Sequence, residues 1–75
     1  MVTNTVELRK AMIDCNINSV KELSEKSGIN RNTLARVLNG KIQPSANVME
    51  QLVLVLNIDP STAGQIFFTP NLRHK

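Results

Sequence analysis

Residues 19–41 read SVKELSEKSGINRNTLARVLNGK, and the stretch is spaced as two short helices joined by a tight turn. Ser19 followed by Glu22 forms a capping box: the serine hydroxyl accepts a backbone N–H that the first helical turn leaves unpaired, while the glutamate reaches back. A helix starts there. Leu23 is its inward residue, and Gly28 falls where the chain must stop and turn, because glycine takes a positive φ without a Cβ penalty. Asn30 supplies a second N-cap. From it Thr33, Leu34, Val37 and Leu38 recur at helical spacing, with Leu34 and Val37 inward, until Asn39-Gly40 closes the segment. Helix, glycine turn and helix predict a helix-turn-helix whose second helix covers about residues 30–38.

Charge narrows what this stretch can touch. No acidic residue lies between Glu25 and Glu50, while Lys26, Arg31, Arg36 and Lys41 all fall inside that window. The second helix carries only positive charge. Arg31, Asn32 and Arg36 lie on its outer face, away from Leu34 and Val37, the arrangement needed to push hydrogen-bonding side chains into the major groove of DNA. Arginine pairs bidentately with guanine and asparagine with adenine.

Leu23-Ser24, Lys26, Gly28-Ile29, Asn32-Thr33-Leu34 and Asn39-Gly40-Lys41 resemble the helix-turn-helix of the Cro and phage-repressor family, also known as the xenobiotic-response-element family of bacterial regulators. The resemblance runs from about residue 8 to 67. It implies an all-α fold, a compact five-helix, lambda-repressor-like DNA-binding domain with the motif at helices 2 and 3. It also implies base contacts from Arg31, Asn32, Thr33 and Arg36, and backbone contacts from Ser19, Lys21, Asn30, Asn39, Lys41 and Gln43. The residues after the recognition helix, 39–44, form a loop that in this family lies along the DNA backbone. Two positions depart from the pattern. Ser24 replaces the usual alanine, a change tolerable in size, and Val20 stands where many members have a glutamine that contacts a phosphate. Ser19, Lys21 or the N-terminal amides of the second helix would have to take that contact over.

Outward from the motif, seventy-five residues permit one domain, expected over residues 1–68, with a mobile tail at 69–75 that ends in Arg73, His74 and Lys75. A first helix is predicted over about residues 5–15, capped by Thr3, Asn4 or Thr5, with Leu8, Ala11, Met12 and Cys15 on one core face. Ile17 tucks into the core from the polar break that follows, and Arg9 and Lys10 point outward as solvated surface. Pro44 suits the first turn of a fourth helix running to about residue 56, with Val48, Leu52 and Leu56 as its core stripe. Asp59-Pro60 reads as the cap and first residue of a short fifth helix containing Ala63, Ile66 and Phe67.

The fourth helix is more apolar than a small domain needs. Leu52-Val53-Leu54-Val55-Leu56 is apolar on every side, where a surface helix alternates. Either the fifth helix and Phe67-Phe68 fold back over it, or Leu54, Val55, Ile66 and Phe68 form a subunit or partner interface. A homodimer has its own physical reason. One recognition helix buries too little for tight specific binding, and a two-fold pair reads two half-sites about one turn of DNA apart.

Several function classes find no support. The single cysteine, Cys15, cannot form an internal disulfide, the single histidine sits in the tail, and no His/Cys/Asp cluster has metal-ligand spacing. Neither catalytic residues nor a cofactor is expected. No apolar run approaches the roughly twenty residues needed to cross a bilayer, and the N-terminus lacks a basic region followed by an apolar core, so the expectation is a cytoplasmic protein. The net charge of +3 bears on nucleic acid only through its local concentration. The leading expectation is a regulator that binds double-stranded operator DNA and represses or switches transcription. The alternatives are a small phage modulator that binds a partner repressor protein through its apolar surface, or an antitoxin of the same fold.

Overall fold

The computed structural model describes residues 2–68, so the tail expected to be mobile lies outside the described residues. Five helices follow one another: α1 (Thr5–Asp14), α2 (Val20–Ser27), α3 (Arg31–Leu38), α4 (Ala46–Val55) and α5 (Pro60–Phe67). The fold is all-α.

Each helix begins on a side-chain oxygen. Asn4, Ser19, Asn30, Ser45 and Asp59 accept backbone N–H groups of Glu7, Glu22, Asn32, Val48 and Thr62, which satisfies donors that a helix start otherwise leaves orphaned. One boundary corrects the sequence reading. Pro44 is not in the first turn of α4 but precedes the cap, buried, while the Ser45 hydroxyl accepts the Val48 N–H at 3.3 Å. Proline has no side-chain oxygen to offer as a cap, so the serine beside it takes that role.

Three helices close alike. After α1, α3 and α4 the chain turns through left-handed Asn16 (φ 63), Gly40 (φ 73) and Asn57 (φ 52). In each case the next N–H reaches back to a carbonyl of the last turn: Ile17 to Met12, Lys41 to Arg36 and Ile58 to Val53, at 2.9 to 3.0 Å. This is the Schellman closure, in which an apolar residue at the far side of the turn usually packs back onto the helix.

The core gathers Leu8 and Met12 of α1, Leu23 of α2, Leu34, Val37 and Leu38 of α3, Leu52 of α4, and Ile66 and Phe67 of α5, with Ile17, Ile29, Leu56 and Ile58 from the connections. Each such side chain contributes roughly 1.5–3 kcal/mol relative to exposure. α3 packs against both α1 and α2, α2 against α4, and α1 against α5. The recognition helix is thus backed by two neighbours. Cys15 is half-buried, and its thiol donates to the Leu56 carbonyl at 3.1 Å.

The apolar run of α4 is mostly covered by the fold: Leu52 and Leu56 are buried and Val53 and Val55 half-buried, whereas Leu54 remains 69% exposed. Ile66 corrects the expected interface. At 1% exposure it belongs to the core, because the inward stripe of α5 carries it there beside Phe67.

Candidate nucleic-acid interface

The path from α2 to α3 is built from short polar side chains. Ser19 takes the Glu22 N–H at 3.1 Å, and the Glu22 carboxylate accepts the N–H of Asn18 at 3.2 Å, so the box closes one residue before the cap. Gly28, at φ 75, turns the chain. Ile29 is then held on both backbone groups. The Ser24 hydroxyl donates to its carbonyl, and its N–H donates to the Ser27 hydroxyl at 3.2 Å while that hydroxyl donates to the Leu23 carbonyl at 2.7 Å. With the Ile29 side chain buried as well, the turn is fixed in three ways. Ser24 therefore supplies a bond that alanine lacks, and sequence reading, which weighed only its size, missed this and the part of Ser27.

Asn30 accepts the Asn32 N–H at 2.7 Å and opens α3. Burial of Leu34, Val37 and Leu38 turns the opposite edge of that helix to solvent, and Arg31, Asn32 and Arg36 are exposed along it. Thr33 is half-buried. It lines a shallow hollow with Ser27, Gly28, Ile29, Asn30, Asn47, Val48 and Gln51, between the turn and the start of α4.

The electrostatics favour an anionic partner. Among the described residues the one ion pair joins Lys10 to Glu7 at 3.4 Å, on α1. Lys21, Lys26, Arg31, Arg36 and Lys41 are exposed and carry no ion pair among those residues. No described carboxylate neutralises their charge, which suits a polyanionic partner. Among the described residues no group of three or more His, Cys, Asp or Glu could hold a metal ion, and no helix there is long and apolar enough to cross a membrane.

The family described as Cro/C1-type HTH DNA-binding domain matches residues 7–63, three quarters of the chain and all of the motif. The chain belongs to this family of DNA-binding domains. No curated protein and no solved structure matches it. For a Cro/C1-type domain the expected contact positions can now be placed. Ser19, Lys21, Asn30, Arg31, Asn32, Arg36, Asn39 and Lys41 are all exposed, from the start of α2 to the loop after α3.

Two positions behave differently from the pattern. Gln43 is engaged within the fold: its amide nitrogen donates to the Phe67 carbonyl, and its oxygen accepts from the Thr3 hydroxyl at 3.1 Å. It ties the loop to the N-terminus and α5, and the second N–H of the exposed amide keeps Gln43 among the expected backbone contacts. Val20 is half-buried and packs against the core, so no polar side chain stands at that place. Arg9, expected to be solvated surface, instead donates to the Leu38 carbonyl at 3.0 Å and to the Asn39 side-chain oxygen at 3.4 Å. No local sequence signal exposes a contact spanning 29 residues.

Proposed function

We propose that this Cro/C1-type protein is a sequence-specific transcriptional regulator that binds operator DNA as a two-fold dimer. The observation that carries the reading is the outer edge of α3, where Arg31, Asn32 and Arg36 stand exposed in a window free of acidic residues. In the major groove Arg31 and Arg36 pair with guanine edges and Asn32 with an adenine edge, while Thr33 contacts a base from the flank. Ser19, Lys21, Asn30, Asn39 and Lys41 hold the phosphates on either side and set the register. Two copies joined through Leu54, Val55 and Phe68 place two recognition helices on successive turns of the duplex. Leu54 at 69% and Phe68 at 48% exposure support that interface. Bound over a promoter, such a dimer excludes polymerase, and repression is the outcome this reading favours.

An anisotropy titration of the purified protein, at fixed moderate salt, against DNA from upstream of its own gene and against random duplex tests the reading. Steep, tight binding confined to the upstream fragment supports it. Weak binding without preference favours a modulator of a partner repressor, for which Val20 and the exposed Leu54 and Phe68 also speak, and co-purification then identifies the partner. Co-purification with a co-expressed neighbouring gene product identifies an antitoxin.

A further inference from the structure

The closure of α3 leaves one carbonyl to be accounted for. Of the last four, Ala35 accepts from the Asn39 N–H, Arg36 from Lys41 and Val37 from Gly40. Leu38, the last, has no backbone donor among these bonds, and the Arg9 guanidinium fills it from another helix at 3.0 Å. The same nitrogen also reaches the Asn39 side-chain oxygen at 3.4 Å. We infer that Arg9 of α1 is a positioning residue for DNA binding, orienting the Asn39 amide toward a backbone phosphate at the end of the recognition helix.

Two physical effects combine here. With its oxygen held by Arg9, the Asn39 carboxamide is fixed with its N–H donors turned away from the guanidinium, free for a phosphate oxygen. A helix C-terminus also carries about half a unit of negative charge, which repels phosphate, and a guanidinium on the last carbonyl offsets it. Arg9 is well anchored for the task. Leu8 and Met12, on the inward face of the same helix, are buried in the core, so the stem starts from a fixed backbone.

The inference rests on the reading of Asn39 as a backbone contact, and a double-mutant cycle separates the two. Arg9→Gln, Asn39→Ala and the double variant are titrated onto a random-sequence DNA duplex at low salt, well below the thermal midpoint of each variant as followed by circular dichroism. Backbone contacts register on any sequence, so no operator is required. Arg9→Gln is expected to weaken binding about fivefold, the worth of roughly one hydrogen bond, when Asn39 is present, and less than about twofold in the Asn39→Ala background. A loss due to charge alone, to helix stability, or to Arg9 touching phosphate itself recurs equally in both backgrounds, and that equality overturns the inference. If Asn39→Ala alone leaves binding unchanged, the reading of Asn39 is wrong and the inference falls with it.

Discussion

The ends of α1 and α4 and the end of α3 share one backbone geometry and differ in the residue that follows the left-handed position. After Asn16 and Asn57 come Ile17 and Ile58, 2% and 8% exposed, which pack into the core as a Schellman closure favours. After Gly40 comes Lys41, exposed and without an ion pair among the described residues. Two of these ends pack an apolar residue back onto the core, and the third carries an exposed cation beside α3 instead.

The largest expected effect lies on the stability side of that comparison. Ile17→Ala opens a cavity under α1 and should lower unfolding free energy by about 2–5 kcal/mol in urea denaturation, whereas Lys41→Ala should stay within about 0.5 kcal/mol of the parent. Similar losses in both would erase the distinction. Lys41→Ile turns the third end into a copy of the other two. It should hold or raise the denaturation midpoint while flattening the slope of log affinity against log salt by about 0.9, one phosphate contact; an unchanged slope would place Lys41 off the DNA.

The α2–α3 turn sharpens the contrast from the other side. Ser24→Ala removes the hydroxyl that holds the Ile29 carbonyl and should cost about 1 kcal/mol of stability, with the ratio of specific to random DNA affinity retained. The smallest effect belongs to Asp59, far from the motif in sequence. The Thr62 hydroxyl and then the Thr62 backbone N–H bond its carboxylate and hold it below the ordinary value of 3.8. A depressed carboxylate stabilises the fold above its unfolded value and loses that contribution as pH falls through the folded one. Asp59→Asn should therefore show a small thermal-midpoint deficit near neutrality that vanishes in acid below 3.8.

The legible features were those written in neighbouring residues. Cap oxygens at Ser19, Asn30 and Asp59, the left-handed Gly28 and the inward spacing of Leu34 and Val37 depend on residues within one or two turns and so could be read in order, while Asn4 was one of three candidate caps for α1. Pro44 could not be placed by the same means, since a proline before a cap and one just after it leave similar marks in a sequence. The apolar run in α4 was equally silent on which side chain would stay outside; only packing separates exposed Leu54 from buried Leu52. At the site, exposure of Arg31, Asn32 and Arg36 followed from periodicity. The roles of Arg9 and Gln43 did not, because their partners Leu38 and Phe67 lie 29 and 24 residues away.

The central claim, that the outer edge of α3 reads bases while Lys41 holds the backbone, is tested most directly by one set of titrations. Wild type, Arg31→Ala, Arg36→Ala and Lys41→Ala are each bound to the preferred DNA fragment and to random duplex at the same salt. Each arginine variant should lose about 1–3 kcal/mol on the preferred fragment and far less on random DNA, and Lys41→Ala should weaken both alike. Equal losses on the two DNAs for both arginines would contradict the account.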